Sequence, residues 1–453
     1  MEFVSKSVLV VGLGRSGLSA ARWLSSQGAE VTIGDIKAEA ELNQDLLNES
    51  RELGIKLEVG GHREETFLNS DMIIVSPGVP LDIGHLKAAR ETGVPVLGEM
   101  ELAMRLVDTP LVAVTGTNGK STAVSLLGAM IKGSGAKVFV GGNIGTPLMD
   151  YAATEQDADY AVVEVSSFQL DSMERFCPKV ALLLNISPDH LDRYPDYEAY
   201  VQSKLRIFQD QGPGQYAILN DDDERLARFR PEGPESVLRY GIEKRDNLHA
   251  YMERNRLVAC LPGKESHDLD IRKFEPPGTH NLENLMSVVL AGLALDLAPN
   301  TIQDAMNSFK GLPHRTELVG NISGVDFFND SKATNVDAAV RSIASFNRPL
   351  ILIAGGRHKG GDYSPLVTAS KEKVKKVILL GEAGDLIAES FKGIIPFALA
   401  EDMEDAVSQA FSSAESNDGV LLAPACSSFD MFIDYADRGR IFTELVERLN
   451  NGT

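Results

Sequence analysis

Short apolar runs alternate along this chain with amphipathic stretches. Val8 to Val11, Val31 to Gly34, Met72 to Val75, Leu111 to Val114, Lys137 to Val140, Tyr160 to Val165 and Val180 to Leu184 are such runs. Val325 to Asn329, Leu350 to Ala354, Val377 to Leu380 and Val420 to Ala423 continue the pattern. They are rich in Val, Ile and Leu and lack the strict polar alternation of a half-exposed strand. Strands buried on both faces read this way, so the pattern predicts an α/β protein of mostly parallel sheets with helices on both sides. None of the runs approaches the ~20 residues needed to span a bilayer. The alternation falls into three blocks: 1–98, 99–312 and 313–453. At about 100 to 200 residues per domain, a chain of 453 residues accommodates them.

The second block opens with the strongest chemical signal. The run Leu111 to Val114 leads into Thr115-Gly116-Thr117-Asn118-Gly119-Lys120-Ser121-Thr122. Val124, Leu127 and Ile131 then recur at helical spacing until Gly133. Strand, glycine loop, Lys-Ser and helix together form the arrangement that wraps a polyphosphate, through backbone N–H groups and the helix N-terminus. Lys120 is expected on the β/γ-phosphates and the Ser121 hydroxyl on Mg²⁺. The loop is a variant, because the first glycine of GxxxxGK[ST] is Val114 here. Downstream, Glu164 ends one expected strand and His190 follows another. Ligands sit off the carboxyl ends of strands in such sheets, so Lys120, Glu164 and His190 are expected in one crevice, the last two as metal ligands.

At the N-terminus, Gly12-Leu13-Gly14-Arg15-Ser16-Gly17 satisfies GxGxxG after a strand, and Asp35 stands where a ribose ligand is expected. Read alone, the motif fits a nicotinamide-nucleotide dehydrogenase as well as a UDP site. A first block of about 98 residues is short for a two-halved dinucleotide fold, and a second phosphate loop follows. A non-catalytic nucleotide-binding protein would keep the loop without needing Glu164 and His190.

Composition narrows the partners. The chain carries 65 acidic against 44 basic residues, a formal charge of −21, which argues against nucleic acid and anionic membranes. Phosphate must be held by local donors. The three cysteines, Cys177, Cys260 and Cys426, are far apart, which excludes a disulfide framework and any CxxC site and fits a reducing compartment. No signal-peptide order of basic, apolar and small residues opens the chain, so a cytoplasmic protein is expected.

The segments TGTNGKST, GGNIG, EVSSFQLD, DHLDRYPDYEAYVQSKLR, GTHN, GLPHR, NDSKATN and LLAPACSSFD occur in this order. Together they resemble the Mur ligases of bacterial peptidoglycan synthesis, over nearly the whole chain. The phosphate loop is shared with folylpolyglutamate synthases, which stand as an alternative. SSFQL, GLPHR and DSKATN point to the D-glutamate-adding branch. The resemblance implies an N-terminal Rossmann-like UDP-binding domain, a central P-loop-type ATPase domain and a C-terminal Rossmann-like domain closing over the site. It implies ATP-dependent joining of D-glutamate to UDP-N-acetylmuramoyl-L-alanine through an acyl phosphate, in a monomer using two Mg²⁺ ions.

Residue roles follow from the same resemblance. Gly116, Thr117, Asn118, Gly119, Lys120, Ser121, Thr122 and Asn281 are expected on ATP, joined by Arg315 and Asp330 from the third block. Ser16, Asp35, Lys37, Ser76, Asn143 and Gln169 are expected on the UDP substrate. Lys332, Thr334, Lys359, Ser428 and Phe429 are expected around D-glutamate. Ser121, Glu164, His190 and Lys204, the last as a carbamate, are expected on metal. Catalysis falls to Lys120, Glu164, His190, Lys204 and Lys332. Three positions depart from the pattern: Lys359 lies in an unusually basic GGRHKGGD loop, Tyr435 replaces an expected Phe, and Lys37 replaces an expected Arg. ATP contacts from two blocks require hinges, expected near residues 98 and 312.

Overall fold

The computed structural model describes residues 2–452 with the exception of 235. Three sheets follow one another along the chain. The first has five parallel strands in the order Lys56–Val59, Glu30–Asp35, Ser7–Val11, Met72–Val75, Val96–Gly98. Its residues divide by the strand's period of two. Val8, Val10, Ile33 and Ile74 face one apolar cluster, while Leu9, Val11, Ile73 and Val75 face another.

The second sheet has nine strands. At its centre lie the parallel neighbours Val180–Leu183, Leu111–Thr115 and Tyr160–Glu164. An antiparallel extension, Ala250–Glu253, Arg256–Cys260 and Ser266–Asp270, finishes one edge. The helices Lys120–Gly133 and Thr279–Ala294 cover one face, burying Val124, Leu127, Ile131, Leu285, Val288 and Val289 against Val112, Val114 and Leu182. The third sheet has six strands, parallel except where Glu317–Ile322 pairs with Val325–Asn329. Its central strand Leu350–Gly355 is buried along its whole length.

The chain between the first two sheets is not a free linker. Gly98 ends a strand and serves as N-cap of the helix Glu99–Met104, with no residue between them. Apolar burial is continuous across the junction: Val10, Ile33 and Leu97 share a cluster with Leu102, Met149, Phe176 and Leu183. Ser19 and Arg22 of the first helix both hold Asp150 of the second domain, at 2.5 and 3.0 Å. The junction near residue 98, expected as a hinge, is a packed one. Separating these domains would expose a shared core, at about 25 cal/mol per Å² of apolar surface.

The third domain is joined differently. Its apolar clusters, including the residues packed at their edges, begin at Val319. Polar side-chain contacts tie it to the central domain. Asn118 donates to Asp337 at 2.8 Å, Asn335 donates to Asp189 at 3.0 Å, and Arg341 pairs with Glu283 at 3.1 Å. Polar contacts exchange readily with water, so of the two junctions the one near 312 is the easier to open. A fluorophore pair across the central and third domains should change its transfer efficiency when ATP analogue and substrates bind. A pair across the first and central domains should not, and equal changes in both would count against the rigid junction.

Glu99 adds a pH term at that junction. Its side chain is buried and its Oε1 has no hydrogen-bond partner. Burial, with Asp150 nearby, pushes its carboxyl up to about 8 against the pull of the Met149 backbone N–H. The folded protein therefore holds Glu99 protonated at neutral pH, whereas the unfolded chain ionises it near the ordinary value of 4.5. Stability is complete below that value and declines as pH rises towards 8, by on the order of a few kcal/mol. Glu99→Gln should remove this decline: urea unfolding at pH 5 and pH 8 should show a gain for the variant at pH 8 only.

Candidate active site

The phosphate loop forms because two residues take conformations that side chains resist. Gly119, N-cap of the helix Lys120–Gly133, has φ 86°, and Gly116 has φ 152°. A Cβ on Gly119 would lie 2.2 Å from Asn284 Oδ1. The loop is braced by Asn185, whose Oδ1 accepts from Asn118 N at 2.9 Å and whose Nδ2 donates to Asn118 O at 3.1 Å. Lys120 folds back over the loop, donating to the carbonyls of Gly116 and Thr117, both at 2.8 Å. Burial holds its pKa below the usual lysine value although Glu164 and Asp189 pull it upward.

Glu164 stands at the carboxyl end of its strand beside this loop. Ser121 donates to its Oε2 at 2.6 Å and Asn143 to its Oε1 at 3.0 Å. Burial alone would raise its pKa, but Lys120 and these two donors hold it below the ordinary carboxylate value. A hydroxyl and an ionised carboxylate in contact offer hard oxygen donors of the kind Mg²⁺ takes beside phosphates. His190 has a left-handed backbone, φ 55°, and burial pushes its imidazole down to about 4, so it is neutral and free to accept or ligate. No cluster of three or more His, Cys, Asp or Glu side chains suited to a metal exists among the described residues. A divalent ion here would need oxygens from the substrate to complete its shell.

Lys204 lies at the buried end of the helix Tyr197–Leu205. Its amine donates to Gly116 O at 3.0 Å and sits 4.6 Å from the centre of the Tyr200 ring. Burial, reinforced by Lys120, holds its pKa well below the ordinary lysine value.

One cavity of about 380 Å³ gathers residues from both later domains. Thr117, Asn118, Gly119, Lys120, Ser121, Thr122, Glu164, His190, Lys204 and Asn281 line it from the central domain, with Asn143 at one edge. Arg315, Asp330, Lys332, Thr334, Lys359, Ser428 and Phe429 line it from the third. Lys332 rests 3.7 Å over the Tyr435 ring, and burial together with Arg315 pushes it down to about 7. Asp330 is raised by burial. Lys359 approaches Asp189 at 3.6 Å.

Sequence reasoning missed the residues that join the two halves. Asp189, Asn335, Asp337 and Arg341 line or border the cavity and form the polar seam described above. A signal existed for Asn335, which caps the helix Val336–Ala344 by accepting from Ala338 N at 2.8 Å.

The residues expected on a UDP group lie elsewhere, at the carboxyl ends of the first sheet. Ser76 donates to Gly12 O at 2.8 Å. The carboxylate of Asp35 is already engaged, accepting from Leu13 N at 2.8 Å and Lys37 N at 2.9 Å. Asp35 therefore organises the glycine turn. Ser16 opens the helix Arg15–Ser26, and Lys37 extends into solvent. Gln169 departs from expectation. Its side chain is buried, accepts from Ser166 N and Oγ in a capping box, and reaches Met100 Sδ at 3.8 Å. Its Oε1 serves the helix start and holds Ser166 in place, and the residue is not among those lining the cavity.

Comparison with known proteins matches three family models in sequence. They are the Mur ligase MurD-like N-terminal domain over residues 6–98, the Mur ligase middle domain over 114–292, and the Mur ligase glutamate ligase domain over 314–426. The UDP-N-acetylmuramoylalanine–D-glutamate ligase of Geotalea daltonii is 43% identical over 452 residues, covering 100% of this chain and 99% of its own. That of Desulfosudis oleivorans is 44% identical, covering 100% and 98%.

The chain belongs to the Mur ligase family.

The fold of this Mur ligase is shared with solved members. A pseudomurein peptide ligase type C from Methanothermus fervidus superposes with a TM-score of 0.62 at 20% identity, covering 98% of this chain and 100% of that one. The UDP-N-acetylmuramate–alanine ligase MurC from Thermotoga maritima gives 0.62 at 18%, covering 99% and 100%. Within this Mur ligase the loop geometry makes a sharp prediction. Gly119→Ala forces a side chain into a left-handed backbone and against Asn284. Binding of a fluorescent ATP analogue should weaken by more than about tenfold, and an unchanged Kd would show that the loop tolerates a Cβ.

Proposed function

We propose that this Mur ligase joins D-glutamate to UDP-N-acetylmuramoyl-L-alanine with ATP as the energy source, in peptidoglycan precursor synthesis. The observation that carries the reading is the meeting, in one cavity, of a phosphate loop from the central domain with Lys332, Thr334, Lys359 and Ser428 from the third. Full-length relatives that bear this activity's name, 40 to 44% identical, agree with it. The MurD-like match over residues 6–98 favours a UDP group over a dinucleotide at the N-terminal glycine turn. The division we adopt is 1–98 for the UDP substrate, 99–312 for ATP and 313–453 for the amino acid and closure. We take the enzyme as a cytoplasmic monomer; among the described residues no helix is long and apolar enough to cross a membrane.

The chemistry follows from the leaving-group problem. A carboxylate cannot be attacked productively by an amine at neutral pH, because oxide would have to leave. The L-alanyl carboxylate therefore attacks the γ-phosphorus of ATP, forming the acyl phosphate and ADP. The D-glutamate amine, once it has lost a proton, attacks the acyl carbon; the C–N bond forms, the C–O bond breaks and phosphate departs. Lys120 and the loop N–H groups would offset charge on the transferred phosphoryl group. Arg315 and Asp330 would orient the nucleotide from the closing domain, and Asn281 would border the adenine. Lys332 and Lys359 would hold the two carboxylates of D-glutamate, with Thr334, Ser428 and Phe429 shaping the pocket. Ser16, Lys37, Ser76 and Asn143 would track the UDP substrate. Ser121, Glu164, His190 and carbamylated Lys204 would hold two Mg²⁺ ions. Bound there, the metal would supply positive charge to the phosphate oxygens. Closure at the 312 junction would exclude water from the acyl phosphate.

Steady release of ADP by the purified enzyme should require UDP-N-acetylmuramoyl-L-alanine and D-glutamate together, and turnover independent of either would reject the assignment. Lys204 supplies a second test. A buried amine with a depressed pKa is the neutral nucleophile that CO₂ needs, and the product is an oxygen ligand on the same stem. With ¹³C-bicarbonate the wild type should show a carbamate carbon signal that disappears in Lys204→Arg, together with activity. A fully active Arg variant would remove the carbamate from the mechanism.

A further inference from the structure

The largest side chain wholly buried in the protein is a charged one, Arg438, on the first turn of the helix Tyr435–Gly452. A buried guanidinium is costly unless it is paired or fully hydrogen-bonded. Among the described residues no carboxylate forms an ion pair with it. Burial pushes its pKa down to about 10, with Cys426 and Asp430 opposing. Its compensation comes from backbone. Nη2 donates to Ser331 O at 2.8 Å and to Cys426 O at 3.3 Å, Nη1 donates to Cys426 O at 3.2 Å, and Nε donates to Ser331 Oγ at 2.9 Å.

Those partners belong to different loops, and each loop delivers residues to the cavity. Ser331 precedes Lys332 and Thr334. Cys426 precedes Ser428 and Phe429. A third loop, the one that carries Lys359, passes against the same guanidinium. A Cβ on Gly356 would lie 3.2 Å from Arg438 Nη1 and 2.2 Å from Ser427 O, and this residue has φ 129°. Only glycine lets that backbone pass so close. The loops are also tied to one another. Arg357 N donates to Ser427 O at 2.9 Å, Ser427 N donates to Arg357 O at 3.2 Å, and Ala425 N donates to Ala333 O at 2.9 Å. Ser331 Oγ in turn donates to Tyr435 O at 2.8 Å, and the Tyr435 ring underlies Lys332.

We infer that Arg438 is the positioning residue of the amino-acid subsite, a buried three-loop tie that sets the spacing of Lys332, Lys359 and Ser428 without touching substrate. The fork geometry is what the position demands. Arginine presents five N–H groups on a rigid plane, enough to serve two carbonyls and a hydroxyl at once, whereas a lysine has three donors on one atom. The tie bears mainly on the amino-acid side: of the nucleotide contacts only Asp330 adjoins a tied residue, while the phosphate loop, Glu164 and Asn281 are fixed by the central domain. Loosening it changes the capture of the incoming amino acid before it changes the capture of ATP.

The inference rests on D-glutamate as that amino acid, and a wild-type control separates the two. If wild type does not turn over D-glutamate, the assignment fails and the tie is not at issue. With wild type active, KM for ATP, for the UDP substrate and for D-glutamate should be measured in Arg438→Lys and Arg438→Met, alongside Tm. The expected result is a D-glutamate KM raised at least about tenfold in both variants, with the other two moving less than about threefold. Lysine should restore Tm more than it restores the D-glutamate KM, a split that a purely structural role does not produce. Parallel loss for all three substrates, or an unchanged D-glutamate KM, would overturn the inference. Should neither Arg438 variant fold, Ser331→Ala removes the hydroxyl that accepts from Arg438 Nε and donates to Tyr435 O, and leaves the two carbonyl contacts of the guanidinium in place. It should raise the D-glutamate KM roughly threefold with the ATP KM unchanged, and no selective rise would overturn the proposal equally.

Discussion

Lys120, Lys204, Arg315, Lys332 and Lys359 converge on one cavity in a protein whose net charge is strongly negative. Like charges brought together out of water repel, and each loses hydration. The surrounding structure answers both costs. Lys120 and Lys204 are satisfied by loop carbonyls, Lys332 by an aromatic face, and Lys359 by Asp189. Burial lowers the pKa of Lys120, Lys204 and Lys332, the last to about 7, so Lys332 can shed part of its charge until an anion arrives. A polyphosphate and a dicarboxylate are the ligands that such a cavity is built to accept. The acidic exterior then matters little, because attraction is local and the distant charges are screened.

The same constraint explains why the site is split between domains. Cations carried on separate rigid bodies need not be held together at full repulsion in the absence of substrate. The seam between them is made of amides, carboxylates and guanidinium groups, which water can replace. Asn118 belongs to the phosphate loop and to this seam at once, so the loop that receives ATP also contacts the helix Val336–Ala344 that follows the Lys332 loop.

Much of this was legible in the sequence. Continuous apolar runs identified the parallel strands, because strands covered on both faces cannot afford polar alternation. The phosphate loop was legible because left-handed backbone demands glycine and the chemistry demands Lys-Ser. Less visible was anything that depends on which surfaces meet. The junction at 98 read as a hinge between two blocks; that Leu97 and Leu102 belong to one apolar cluster is a fact of tertiary packing. Gln169 read as a substrate contact, and its capping box with Ser166 emerged only with the backbone geometry. Arg438 gave no signal at all: an arginine in ADRGR near the C-terminus reads as solvated surface, and only the crossing of three loops reveals its burial.

The shared core of the first two domains has a consequence for synthesis. The cluster that includes Phe3, Val10 and Ile33 is completed by residues as late as Ala217, Leu219 and Leu226. A ribosome must therefore deliver about half of the chain before that cluster is complete. At translation speeds of about 5–20 residues per second, that delay is on the order of ten seconds. During it the apolar surface that the first domain presents to the central one is open to chaperones or to other nascent chains. The third domain, with clusters of its own, has no such wait once it has emerged.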